Sequence, residues 1–82
     1  MSGGQVESTV KETLSQVLGV PAERIGSGFS AESAPEWTSL NHLMLVSQLE
    51  SAFGVFFSNQ EIQGLTSYDG IIAALSGRGA GA

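Results

Sequence analysis

The segment from residue 37 to residue 53 constrains the fold most, because it lacks Gly and Pro and its apolar residues recur with a helical period. With about 100° of rotation per residue, a helix here carries apolar side chains on two separate faces. One face consists of Leu45, Val46, Leu49 and Phe53. The other, next to Ser39 at the start of the helix, consists of Leu40, Leu43 and Met44. We expect the first face to enter the core and the second to be available to another molecule.

A first helix is predicted from about Gln5 to Leu18. It is marked by apolar residues at helical spacing and by Gly19, which is followed two residues later by a Pro. The connection from residue 19 to residue 38 is long, and such connections usually have a function or are held to the core. Its large apolar residues, which we expect to hold it there, are Ile25, Phe29 and Trp37.

A short third helix is predicted after Gly54, which is expected to end the second helix at Phe53. Residues 55–57 are expected to cross back over the core. Ser58 or Asn59 can then cap a helix that is broken near Gly64.

A fourth helix is predicted to end at Gly77. Thr66 or Ser67 can cap it, and Thr66 with Asp69 approximates a capping box. Its buried stripe consists of Tyr68, Ile71, Ile72 and Leu75. The predicted fold class is all-α, a small four-helix bundle with three longer helices, a short third helix and a long first loop. We expect one domain over residues 5–76 and mobile ends at residues 1–4 and 77–82.

The composition argues against several classes of function. The chain has 82 residues, and in one small domain of this size a deep catalytic cleft is not expected. It has no Cys and a single His, which excludes disulfides and the usual cysteine or two-histidine metal sites. Its net charge of -5 opposes binding to nucleic acid. It also lacks a signal peptide and an apolar run of roughly 20 residues, so we expect a cytoplasmic protein without membrane insertion.

The polar candidates have ordinary structural interpretations. From position alone, Ser39 or Thr38 is first of all a helix N-cap. A lone, half-buried His42 is expected to be a hydrogen-bonded packing residue, and Trp37 is expected to hold the loop rather than to stack on a ligand. We expect a solvated surface, rather than a pair of catalytic carboxylates, at Glu32, Glu36 and Glu50. We therefore predict no catalytic residue and no metal site.

Several short motifs, taken together, resemble a known family. They are Ser39-Leu40 at the start of the second helix, Leu49-Glu50 near its end, Phe53-Gly54-Val55 after it, Glu61-Ile62 in the third helix and Leu65-Thr66-Ser67 before the fourth. Their order and spacing, from about Val6 to Leu75, resemble those of the acyl carrier proteins. These are small helical bundles on which fatty-acid and polyketide pathways tether their intermediates.

The resemblance implies that Ser39 is an attachment point. In that family the serine at this position is esterified to 4'-phosphopantetheine by a separate phosphopantetheinyl transferase, and the thiol of this arm carries an acyl group as a thioester. A helix N-terminus also favours a bound phosphate on electrostatic grounds. Thr38 and Leu40 would flank the attached group. The surface expected to bind partner enzymes consists of Leu40, Leu43, Met44 and Ser47.

The resemblance also implies the protein's partners. The chain would be a monomeric, non-catalytic carrier, and it would bind the transferase and the enzymes that load, condense or transfer acyl groups. Two positions depart from the family, because Thr38 replaces the usual Asp and Asn41 replaces an acid. Met44 also stands where a carboxylate is frequent, and Glu50 is the only acid from residue 39 to residue 53. We therefore expect a specialised carrier, for fatty-acid-like, polyketide or related biosynthesis, that docks by apolar contact.

The alternative is a protein that never takes the arm. It would be a helical interaction module or a degenerate carrier, and it would work through the exposed apolar face of the second helix.

Overall fold

Four α-helices account for most of residues 2–77, which are the residues that our computed structural model describes, with side chains from residue 5 onward. They are α1 (Ser2–Leu18), α2 (Ser39–Phe53), α3 (Asn59–Gly64) and α4 (Tyr68–Gly77), with a 3-10 turn at Ala22–Arg24. Within this range the only β-type pairing is an isolated bridge between Ser30 and Ser67. The all-α class is therefore confirmed for the described residues.

Helix α1 begins at Ser2, earlier than the predicted start near Gln5. Residues 2–4 are Ser and Gly, so no apolar spacing reveals the first turn in the sequence. Met1 and residues 78–82, which include most of the predicted mobile tail, lie outside the described residues. The mobility of both ends stays a prediction.

The long first loop is held to the core by its large apolar side chains, as predicted. Ile25, Phe29 and Trp37 are all buried, and the Phe29 and Trp37 rings lie 5.8 Å apart. The loop backbone is also bound to the segment that leads into α4. The N–H of Ala31 donates to the carbonyl of Thr66 at 2.9 Å, and the N–H of Tyr68 donates to the carbonyl of Phe29 at 2.9 Å. The loop is therefore fixed by burial and by backbone hydrogen bonds together.

Helix α2 divides its apolar residues between two faces, as the spacing predicts. Leu45, Val46 and Leu49 are buried and Phe53 packs partly buried against them, in a core that also includes residues of α1 and α4. On the other face the exposed fractions are 68% for Leu40, 62% for Leu43 and 47% for Met44. The helix ends at Phe53 and is capped by Gly54, whose φ of 65° lies in the left-handed region that favours Gly.

The segment after α2 differs from the prediction. Phe57 is buried, but Phe56 is 85% exposed, so residues 55–57 do not all pack on the core. Glu50 is half-buried rather than solvated, and its carboxylate accepts a hydrogen bond from the Phe57 N–H at 2.9 Å. This bond satisfies a backbone donor in the crossing segment and explains why the carboxylate lies against it.

The other two acidic residues of the predicted solvated surface lie near the surface. Glu32 is exposed, and Glu36 forms an ion pair with Arg24 at 3.1 Å. The hydrogen bond from Arg24 lowers the pKa of the Glu36 carboxyl, and a backbone hydrogen bond at Glu36 lowers it further. Glu36 is therefore an ion-paired carboxylate.

The caps of the last two helices come from serines. Ser58 caps α3 and forms a capping box with Glu61. At the start of α4, the Ser67 hydroxyl accepts a hydrogen bond from the Gly70 N–H at 2.9 Å. The predicted capping box of Thr66 with Asp69 is wrong. The Asp69 carboxylate accepts instead from the Ser27 hydroxyl at 3.1 Å and from the Gly28 N–H at 3.2 Å, and so holds the first loop.

Truncation of Leu49 tests the division of α2 into two faces. Leu49→Ala should lower the free energy of unfolding by about 2–5 kcal/mol, because a fully buried leucine loses its contacts and leaves a cavity. The matched control is Leu43→Ala on the exposed face, which should change it by no more than about 0.5 kcal/mol. Urea unfolding measures both. Equal losses for the two variants would contradict the assignment of the faces.

Candidate functional site

The start of α2 is capped by Thr38. Its backbone is extended (φ -85°, ψ 170°), and its Oγ1 accepts a hydrogen bond from the Asn41 N–H at 3.2 Å. Its carbonyl accepts the first bond of the helix, from the His42 N–H at 2.8 Å. Thr38 therefore has the cap role that the sequence left open between two hydroxyl residues.

Ser39 is the first residue of α2, and its side chain is exposed. Among the described residues its hydroxyl has no hydrogen-bond partner. The N–H groups of Ser39 and Leu40 lie in the first turn, where a helix supplies no acceptor for them. The first turn also contains no acidic residue. An anion esterified to Ser39 would thus meet free donors and the positive end of the helix dipole, so the residues fit a phosphodiester.

A groove of about 390 Å³ adjoins Ser39. Its walls come from the first loop, from the first turns of α2 and from the residue before the cap of α4. The lining residues are Ala31, Trp37, Thr38, Ser39, His42, Leu43 and Thr66. Most of these present carbon atoms to the groove. It can therefore hold part of a flexible chain that begins at Ser39.

His42 forms hydrogen bonds at both ring nitrogens, as expected for a packing histidine. The Trp37 indole N–H donates to Nδ1 at 3.0 Å, and Nε2 lies 2.8 Å from the carbonyl of Ile62 in α3. Because both nitrogens are engaged, neither is free to accept a proton from Ser39. Trp37 is buried against Phe29 and holds the loop, also as expected.

The predicted partner-binding residues lie on one exposed face of α2. Leu40, Leu43, Met44 and Ser47 are spaced three and four apart, which places them side by side on a helix, and all four are exposed. We call this set the α2 surface. Leu43 also lines the groove, so the α2 surface and the groove are continuous. The only charged side chain of α2, Glu50, is bound to the Phe57 N–H, which leaves this surface uncharged.

Replacement of Thr38 and of Ser39 by Ala, one at a time, tests the separation of their roles. Thr38→Ala should lower the free energy of unfolding by about 0.5–2 kcal/mol, because the Asn41 N–H loses its acceptor. Ser39→Ala should change it by less than about 0.5 kcal/mol, since that hydroxyl binds nothing in the described residues. Urea unfolding of the two variants measures the difference. A loss at Ser39 as large as that at Thr38 would show that both residues cap the helix.

Comparisons with known proteins add no family assignment. No protein-family model and no curated protein matches this chain. Within residues 2–77 no group of three His, Asp or Glu side chains could hold a metal ion. No helix in that range is long and apolar enough to cross a membrane. The geometry at Ser39 and the sequence motifs around it are therefore the features that point to a function.

Proposed function

We propose that this chain is a carrier of the acyl carrier type, with 4'-phosphopantetheine esterified to Ser39. The observation that carries the proposal is the separation of roles at the start of α2, where Thr38 caps the helix and Ser39 presents an exposed, unbound hydroxyl. The helical architecture, with its short α3 and long, pinned first loop, agrees with the carrier bundle. The motifs from Ser39-Leu40 to Leu65-Thr66-Ser67 support the same conclusion.

Attachment would use the Ser39 hydroxyl as the nucleophile. Its oxygen forms a bond to the phosphorus that bears the pantetheine half of coenzyme A, the phosphoanhydride bond breaks, and adenosine 3',5'-bisphosphate leaves. The hydroxyl proton passes to a base of the transferase, because His42 already uses both of its ring nitrogens. Thr38 keeps the cap in place throughout, so the N–H groups of the first turn face the new phosphodiester.

The arm would supply the chemistry that the chain lacks. The chain contains no Cys, and the attached group brings a thiol that can bind acyl groups as thioesters. The groove beside Ser39, with its largely apolar lining, would hold part of the arm near the protein surface. The chain itself performs no catalysis in this proposal, and the acyl chemistry belongs to its partner enzymes.

The α2 surface would bind those partners, namely the phosphopantetheinyl transferase and the enzymes that load, condense or transfer acyl groups. Three large apolar side chains are exposed together there, and such a cluster is typical of a contact surface. Since the surface has no charge, association would depend on apolar burial more than on ion pairs. The same exposed cluster supports the second candidate, an interaction module that binds a partner through α2 without any arm.

Intact mass measurement separates the two candidates. Wild-type protein incubated with coenzyme A and a phosphopantetheinyl transferase should gain the mass of one phosphopantetheine. Ser39→Ala should gain nothing, because it lacks the nucleophilic oxygen. Ser8→Ala is the control, since it removes an exposed hydroxyl from α1, away from the α2 surface, and it should be loaded like wild type. Loading of Ser39→Ala, or no loading of wild type, would contradict the proposal.

Met44→Glu tests the α2 surface. The fold should survive with a change of no more than about 0.5 kcal/mol, because Met44 is 47% exposed and lies off the core face. Binding to a partner enzyme should weaken, since a carboxylate would lose its water in an apolar contact. Thermal unfolding and partner affinity are measured on the same variant.

The control for this variant is Gln16→Glu, which adds the same charge at an exposed position of α1. It should leave the affinity unchanged. An early unfolding transition in Met44→Glu would show that Met44 belongs to the core. Normal binding by Met44→Glu would show that partners use another surface.

A further inference from the structure

A chain of two hydrogen bonds joins three parts of the fold next to Ser39. The Trp37 indole N–H lies 3.0 Å from Nδ1 of His42, and Nε2 of His42 lies 2.8 Å from the carbonyl of Ile62. An indole N–H can only donate, so Nδ1 is the unprotonated acceptor. The proton of the imidazole is therefore on Nε2, which donates to Ile62. Each ring nitrogen thus has one role, and the two bonds together select a single tautomer of His42.

These bonds hold α3 as well as the loop. Helix α3 has only six residues and none of them is fully buried; Ile62 is packed partly buried against the core. A helix this short gains little from its own hydrogen bonds and depends on contacts with its neighbours. The bond from His42 to the Ile62 carbonyl is one of these contacts, and it joins the first turn of α2 to α3.

The same two side chains form walls of the groove at Ser39. Trp37 and His42 both line it, and Ser39 lies between them in the chain. The indole is also packed against Phe29, but that ring contact does not specify the direction of the indole N–H. His42 specifies that direction, because its Nδ1 accepts the indole N–H at 3.0 Å.

We propose that His42 is a positioning residue for the attachment of phosphopantetheine. It fixes the Trp37 indole in the groove beside Ser39 and ties the first turn of α2 to α3, so that a transferase meets one arrangement of the groove. This inference rests on the proposed function. Loss of the bonds would leave the Ser39 hydroxyl unchanged but would lower the fraction of molecules in the arrangement that the transferase binds. The apparent affinity of the transferase for the carrier falls in proportion to that fraction. KM for the carrier should therefore rise while kcat is little changed.

The experiment compares wild type with His42→Leu, His42→Gln and Val10→Ala. His42→Leu removes both hydrogen bonds, whereas Gln can still accept from the indole and donate to a carbonyl. Val10→Ala is the control for general destabilisation, because it truncates a fully buried side chain of α1 that does not line the groove. Initial rates of loading from coenzyme A give kcat and KM at a temperature where circular dichroism shows each variant folded.

A second measurement does not depend on loading. The chain contains one Trp, so a single indole ¹⁵N–¹H resonance reports on the bond from Trp37 to His42. In His42→Leu this resonance should move upfield and its proton should exchange faster with water. In His42→Gln the change should be smaller, and in Val10→Ala the resonance should stay in place.

For loading, we expect KM of His42→Leu to rise by about three- to tenfold, the range that corresponds to one or two lost hydrogen bonds. His42→Gln should recover part of this loss, and Val10→Ala should keep the wild-type KM. Trp37→Phe removes the donor of the first bond, together with part of the buried indole, and should also raise KM, so the test does not depend on whether His42→Leu folds.

The outcomes separate the two proposals. If wild type is loaded but both His42→Leu and Trp37→Phe have the KM of Val10→Ala, His42 has a structural role only and this inference is wrong. An indole resonance that does not move in His42→Leu also overturns it, since the bond would then be absent in solution. If wild type takes no arm, the proposed function fails and this inference fails with it.

Discussion

Attachment of the first loop to the core is the constraint on which the rest of this structure depends. The loop runs from the end of α1 to the cap of α2, and ordering so many residues without a helix costs conformational entropy. Burial of Ile25, Phe29 and Trp37 offsets that cost. Two backbone hydrogen bonds, one to Thr66 before α4 and one from Tyr68 at its start, also fix the position of the loop. Because Trp37 immediately precedes Thr38, the position of the α2 start follows from the position of the loop.

The start of α2 then separates two tasks that a single residue could not perform well. A capping hydroxyl must turn inward to accept a backbone N–H, and a hydroxyl that is to be modified must face solvent. Thr38 does the first and Ser39 is free for the second. The chain as a whole carries a charge of -5, but the first turn of α2 contains no acid, so the helix dipole acts there without opposition from a neighbouring carboxylate.

Local patterns in the sequence predicted the features that depend on residues close together in the chain. The limits of α2, the end at Gly54 and the two faces of the helix all follow from apolar spacing and from the conformational preference of Gly. The roles of Glu50 and Asp69 could not be predicted in this way. Asp69 binds Gly28, and a partner so distant in sequence leaves no periodic signal. The exposure of Phe56 does follow a local pattern, since its two neighbours, Val55 and Phe57, both pack against the core.

At the candidate site, the sequence indicated Ser39 but not its surroundings. Thr38 and Ser39 both carry hydroxyl groups, and only the backbone geometry decides which of them accepts the cap hydrogen bond. The bond from His42 to Ile62 joins two helices and depends on how they pack, so spacing alone could not predict it.

Separation of the two apolar faces of α2 also determines which changes the fold can tolerate. Leu45 and Leu49 are fully buried, whereas Leu40 and Leu43 are mostly exposed, so side chains on the outer face can change with little effect on the core. The proposed carrier role would need this independence, because partner enzymes would bind the outer face while the core only has to stay folded. The groove is the exception. His42 lines it and also ties α3 to α2, so a change there affects the surroundings of Ser39 and the packing of the fold together.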